Sequence, residues 1–212
     1  MSRHLLALVA AAATLTLASP AWAQGTFSFS VGGGPTVPGK YTGRRFDTGY
    51  NFTAGVGIHP FRALGVMAEF GYFQNGINSS QLSRIGVPGG ESRIYSLTLN
   101  PMIHLIPKGR VDAYLVGGGG YYRRTVELTA PSSAITTGFD PYYGFFFPVE
   151  IPTTTVLGSR TQNKMGFNGG LGVAVRLRED GRATLFGESR YHYIYTTPTR
   201  TAILPVTFGF RW

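Results

Sequence analysis

Ala202-Ile-Leu-Pro-Val-Thr-Phe-Gly-Phe-Arg-Trp212 closes the chain, and the reading of this stretch decides the fold. Successive side chains of a strand point to opposite sides, so Phe208, Phe210 and Trp212 fall on one face and Thr207, Gly209 and Arg211 on the other. A strand that runs to a final aromatic residue with no polar tail is expected to have its end held in a ladder or a membrane rather than frayed in water. Rings on one side and polar groups on the other suit a wall with lipid outside and a polar interior.

The opposite end says where such a wall is built. Arg3 and His4 precede an apolar run from Leu5 to Leu17, and Ala21-Trp22-Ala23 stands before Gln24. Charge, apolar run and a small-residue site in that order read as a secretory signal peptide over residues 1–23, cleaved after Ala23. The run is too short to cross a bilayer as a helix. The mature chain of 212 − 23 = 189 residues is one domain's worth. No later stretch reaches the twenty or so continuous apolar residues of a transmembrane helix. With no cysteine, disulfides and thiolate-held metals are excluded. Only 14% of residues are charged against 14% aromatic, which excludes a charge-rich disordered chain and points to a β-rich body whose surface does not face water.

Eight segments alternate with a period of two, at Thr26–Gly34, Asp47–His59, Leu64–Gln74, Arg93–Leu105, Arg110–Tyr122, Lys164–Arg178, Arg182–Tyr195 and Thr201–Trp212. Most reach the nine to eleven or so residues of a tilted membrane-crossing strand. Their connections alternate too. Short ones at Pro60–Ala63, Ile106–Gly109 and Glu179–Gly181 carry turn formers, whereas Pro35–Phe46, Asn75–Ser92 and above all Arg123–Asn163 are long. Short turns on one side and long loops on the other, with an even strand number, describe an all-β, eight-stranded antiparallel up-and-down transmembrane β-barrel with both termini on the inner side.

Charge placement sets the facing. In the penultimate segment Glu188, Arg190 and His192 share one parity, and an Arg turned to lipid near the midplane costs about 2–4 kcal/mol, so this parity faces the lumen. By the same test Phe52, Ala54, Val56 and Ile58, then Ala68, Phe70 and Tyr72, then Leu97, Leu99, Pro101 and Ile103 face lipid. Ala113 and Leu115, and Phe167, Leu171, Val173 and Val175, do likewise. A soluble sandwich would give the same alternation with inside and outside exchanged. Against it, Tyr50, Tyr72, Tyr121, Tyr191, Tyr195, Phe210 and Trp212 lie toward strand ends on the lipid face, as interfacial girdles require.

A barrel of eight strands has an interior just wide enough to be filled by side chains. Glu69, Asp112 and Glu188 are expected to pair inside it with Arg176, Arg190 and Arg211, because buried charges must be paired. Catalysis finds little support, so no enzyme is expected. Ser189 and His192 differ in parity and fall on opposite faces, while a nucleophile and its base must come within hydrogen-bond reach. Neither a metal site nor a cofactor is expected, since His59, His104 and His192 are scattered over three strands and Gly32–Gly34 and Gly117–Gly120 precede no helix.

With Ala21-Trp-Ala23, Phe186-Gly-Glu-Ser-Arg-Tyr-His-Tyr-Ile194 and Leu204-Pro-Val-Thr-Phe-Gly-Phe-Arg-Trp212 in view, the chain resembles the small, eight-stranded outer-membrane β-barrel proteins. The resemblance implies a bacterial outer-membrane location and a C-terminal strand, here Phe208, Phe210 and Trp212, that is read by the barrel-insertion machinery. In the family the last residue is usually Phe, and Trp212 keeps the chemistry. The family shares architecture more than activity, so function must come from the site. The Glu188–Ile194 stretch is also similar to that of lipid A deacylase barrels, whose serine follows the histidine by two positions; here that position is Ile194.

The mature chain carries 18 Lys and Arg against 10 Asp and Glu, about +8, much of it toward the outer side. There Arg44, Arg45, Arg123, Arg124 and Lys164 are candidates to contact lipopolysaccharide phosphates and carboxylates, which Arg binds in bidentate fashion. Nucleic acid is not an expected partner of an exported barrel. The reading is thus a monomeric, non-enzymatic membrane anchor that displays extracellular loops. An adhesion or binding module is the first alternative, and a minor channel or lipid A-modifying hydrolase the second. The 123–163 connection stands out because its core, Phe139-Asp-Pro-Tyr-Tyr-Gly-Phe-Phe-Phe-Pro-Val-Glu-Ile151, is too aromatic for a plain tether. It is expected to fold over the mouth, extend the wall as a hairpin or dock a partner.

Overall fold

The computed structural model describes residues 27–39, 42–43, 45–107, 109–177 and 183–212. The signal peptide and Arg44 lie outside the described residues. Among the described residues the strands are β1 (Phe27–Pro38), β2 (Gly49–Phe61), β3 (Leu64–Gly76), β4 (Gly89–His104), β5 (Val111–Asp140), β6 (Phe145–Arg176), β7 (Thr184–Ile194) and β8 (Thr201–Arg211), with one short helix, α1 (Ser79–Ile85), between β3 and β4. Each strand pairs antiparallel with the next, and β8 returns to β1 to close the barrel. Closure abolishes the free edges that an open sheet would expose.

The terminal strand holds the seam. Trp212 and Phe29 exchange backbone hydrogen bonds of 2.7 and 2.9 Å, and their rings stand 6.3 Å apart on the outer face. Facing follows the charge rule throughout: Phe208, Leu97, Leu171 and Phe52 are exposed, and Thr207, Thr98, Asn168 and Asn51 are buried. Large apolar residues outside and polar residues inside are the reverse of a soluble sandwich. Tyr50, Tyr72 and Tyr95 form a run of neighbouring rings across β2, β3 and β4, with centroids 6.1 and 5.1 Å apart. Phe167 on β6, Tyr193 on β7 and Tyr195 just past its end make a second run. These belts bound the outer edge of the apolar band.

Two elements differ in extent from the segments read in the sequence. Of the forms expected for the connection 123–163, the structure has the hairpin that extends the wall: β5 and β6 run on as one continuous ladder from Val111↔Val175 to Asp140↔Phe145, with a register shift at Leu128/Thr129. β4 ends opposite Thr129, so beyond that point the two strands project alone for roughly 35 Å, at about 3.3 Å per residue. Threonines and aliphatics such as Ile135-Thr136-Thr137 and Thr153-Thr154-Thr155-Val156 favour this extended backbone. Pro131, Pro148 and Pro152 read as breakers, but a ribbon with two free edges can place a proline nitrogen outward at no cost in ladder bonds. The strand number stays at eight. The second difference is α1, capped by the Asn78 side chain on the Ser80 N–H (3.0 Å) and stopped by Gly86 at φ 66°, which lone Asn and Gly did not announce.

The Gly117–Gly120 run splits by face. A Cβ on Gly118 would lie 2.0 Å from the Leu99 carbonyl oxygen and 2.8 Å from the Asn100 Cα, whereas on Gly117 the nearest atom is the Asn168 carbonyl oxygen at 3.4 Å. Backbone cannot give way as a side chain can. Gly118→Ala is therefore expected to lower stability by about 1–3 kcal/mol through overpacking, and Gly117→Ala by far less. Urea midpoints of the two variants refolded in micelles check this, and equal midpoints would contradict it.

Candidate functional site

Inward-facing polar residues of β3, β5 and β7 meet at the centre of the lumen because pairing sets their heights: Gly172 of β6 lies opposite both Glu188 and Tyr114. Arg190 donates Nη1 and Nη2 to the two carboxylate oxygens of Glu69 at 2.8 and 3.0 Å. Its Nη2 also reaches Glu188 at 2.6 Å, and the Tyr114 hydroxyl donates to the other Glu188 oxygen at 2.9 Å. Arg190, Glu69 and Glu188 are all buried. An apolar group, Met67, Met102, Tyr114, Val116, Ala174 and Phe186, lies on the inner-terminus side of this charged layer. A second, Phe73, Ile94, Tyr122, Ile194 and Ile203, lies on the outer side. Fork geometry and exclusion of water make such charge-assisted bonds strong.

The expected six-residue network is smaller than the sequence suggested. Asp112 pairs not with an arginine but with His104, Nδ1 to Oδ2 at 2.5 Å, and accepts from the Ile106 N–H at 3.0 Å. Arg176 reaches across the inner turn to the Pro107 carbonyl oxygen. Arg211 stacks over the Tyr114 and Phe186 rings, 5.2 and 5.0 Å to the centroids. The reason is height: parity told which side each charge faces, but the stagger of the ladders told which charges share a level. Tyr114 and Phe186 as cation platforms were missed, since an aromatic on the lumen face carries no sequence signal beyond its parity.

His192 is buried and its Nδ1 is 3.0 Å from the Tyr122 hydroxyl. Ser189 sits at the outward-facing position opposite Leu171, so this serine and histidine occupy opposite faces and cannot act as nucleophile and base.

The basic residues divide by the same parity. Arg123 faces outward, opposite Tyr95, on a groove of about 590 Å³ that Arg93, Thr125, Glu127 and Thr161 also line. Arg93 there is paired with Glu91 and, at 3.4 Å, with Glu127. Arg124 and Lys164, by contrast, lie on the inward face with Tyr122. Arg45 is tied to Thr199 Oγ1 at 3.1 Å. Of the strand residues in the expected lipopolysaccharide set, Arg123 lies on the outward face, whereas strand parity turns Arg124 and Lys164 inward.

The projecting hairpin ends in a turn where Asp140 accepts from the Tyr142 and Tyr143 N–H groups at 2.8 and 3.2 Å and Gly144 takes φ 71°. Tyr142, Tyr143 and Phe146 are 86, 71 and 71% exposed, and Phe139 and Phe145 are also bare. Residues 128–159 contain no Lys or Arg.

Among solved structures, Neisserial surface protein A matches with a TM-score of 0.57 at 14% identity, covering 89% of this chain and 96% of that one. A major outer membrane protein from Thermus thermophilus matches with a TM-score of 0.56 at 12% identity, covering 88% and 98%. These likenesses show the fold. Comparison with curated proteins finds no match. The family model described as the outer membrane protein beta-barrel domain matches residues 9–211, so that a closed eight-stranded wall, a charged and side-chain-filled lumen and an apolar belt between aromatic girdles come together in a chain that belongs to this family of the bacterial outer membrane.

Proposed function

We propose that this protein is a non-enzymatic surface binding protein: a monomeric barrel that serves as anchor and a hairpin that carries an aromatic contact surface well clear of the membrane. The observation that carries the reading is the bare tip, Phe139, Tyr142, Tyr143, Phe145 and Phe146 on a ribbon without a single cation. Exposed apolar patches of this kind mark interaction sites, and Tyr suits them because it brings large area at low conformational cost. The lumen supports anchorage over transport, since Arg190 with its two carboxylates and the two apolar groups occupy the path a solute would take. At the headgroup level Arg123 meets lipopolysaccharide phosphates. The terminal strand through Trp212 engages the insertion machinery.

The test expresses the chain in a Gram-negative host and measures attachment of whole cells to phosphatidylcholine-coated, protein-coated and bare hydrophobic surfaces. Tyr142→Ser/Tyr143→Ser/Phe146→Ser is expected to lower attachment at least tenfold, to that of the empty host, with unchanged amounts of inserted barrel. Attachment of the triple variant equal to the parent on all three surfaces would overturn the reading.

A further inference from the structure

The outer mouth of the barrel holds a second feature, independent of the hairpin tip. At this height the two faces of the β4–β5–β6 wall differ in charge balance. The outward face carries two cations, Arg93 and Arg123, balanced by two carboxylates, Glu91 and Glu127, both paired with Arg93. The inward face carries Arg124 and Arg160, whose backbones pair with Gln162 and Val126. Two residues apart across one ladder on the same face, they are diagonal neighbours, at roughly 7–8 Å between backbones. The charged groups that bear on Arg124 are Arg45 and Arg160, both cationic. Neither Arg124, Arg160 nor Arg45 forms a salt bridge among the described residues.

Arg124 is also pre-organised. Its Nε donates to Ser92 Oγ at 3.3 Å and its Nη1 to Thr201 Oγ1 at 2.9 Å, and the guanidinium lies 5.0 Å from the centre of the Phe46 ring. The segment bearing Phe46 and Arg45 is itself pinned: the Ala202 N–H donates to Thr42 Oγ1 at 2.9 Å, and the Asn78 N–H to the Arg45 carbonyl at 2.9 Å. Arg45 and Arg124 are thereby held at the mouth by neutral partners only, with Arg160 the diagonal neighbour of Arg124. Like charges held together without a counter-charge repel, and a bound oxyanion would relieve that repulsion while filling the free guanidinium donors in the fork geometry that Arg offers to phosphate.

We propose that Arg45, Arg124 and Arg160 form an oxyanion site at the extracellular mouth, which takes a phosphate or sulfate group presented from outside the cell. Arg124 is the fixed floor, and Arg45 and Arg160, more exposed, close on the group from the rim. The ligand's source is a free ion, a phosphorylated sugar of the cell's own surface or a sulfated glycan of another.

Isothermal titration of the refolded full-length barrel in micelles at low ionic strength distinguishes these, with inorganic phosphate, a lipid-free phosphorylated core oligosaccharide and a sulfated disaccharide as probes. Saturable binding of at least one probe is expected, weakened at least tenfold in Arg124→Gln and by raised salt, and unchanged in Arg93→Gln, whose side chain lies at the same height on the outer face. The probe that binds most tightly identifies the source. Binding of none of the three by the parent, or equal weakening in Arg93→Gln and Arg124→Gln, overturns the site. Should Arg124→Gln lose its heat-modifiable mobility, Arg45→Gln/Arg160→Gln takes its place, and undiminished affinity in that variant overturns the site as well.

Discussion

Arg190→Met is expected to be the most damaging single change in the lumen, costing about 3–5 kcal/mol, because it leaves two carboxylates buried without the cation that holds both. Glu69 and Glu188 bind the same guanidinium through three contacts of 2.6–3.0 Å, so its removal also leaves like charges facing each other. Glu188→Ala is expected to cost less, since Arg190 keeps its two bonds to Glu69 and only the contact to Glu188 and the Tyr114 hydrogen bond are lost. Replacing the whole cluster, Glu69→Leu with Glu188→Gln and Arg190→Met, removes the unpaired charges together and is expected to recover most of the stability, as apolar replacement of buried ion groups commonly does. Urea unfolding of the refolded variants, followed by the loss of heat-modifiable mobility, gives the order. An Arg190→Met barrel as stable as the parent would mean that water reaches the layer and the lumen is not dry.

Exchanging Ala130–Thr155 for an Asn-Gly turn is expected to leave a fully inserted barrel and remove attachment altogether. Thr129 pairs with Val156, so a two-residue turn can close the ladder there, and Asn-Gly supplies the positive φ angles that tight hairpins need. All residues between the girdles, and the eight-strand closure of β8 on β1, lie outside the exchanged segment. Outer-membrane fractionation and gel mobility with and without boiling report the barrel, and whole-cell attachment reports the hairpin. Failure to insert would show that the projecting ribbon is needed to assemble the wall, whatever it binds.

The inside and outside of this protein were written in its residue order. Alternation puts Phe208, Phe210 and Trp212 on one face and Thr207 and Arg211 on the other whatever the strand packs against, because the side-chain period of a strand is a local property of the backbone. The rule that no charge faces lipid then orients the strands that carry charge, so strand number, their facing and the presence of Glu69, Glu188 and Arg190 in the lumen followed from one dimension. Which charges meet did not. Arg190 finds Glu69 across 121 positions of chain, and Asp112 finds His104 rather than an arginine, because the stagger of successive ladders sets height in the barrel and no single strand carries that information. The same holds at the mouth, where Arg123 and Arg124, adjacent in sequence, part to opposite faces of one wall and only the folding of the Phe46 segment brings Arg45 to the second of them. The hairpin lay between these cases. Its aromatic core excluded a plain tether and left folding over the mouth, a hairpin or a docked partner open, and only the β5–β6 ladder decides for the hairpin, where a ribbon with both edges free lets its prolines sit without breaking a ladder bond.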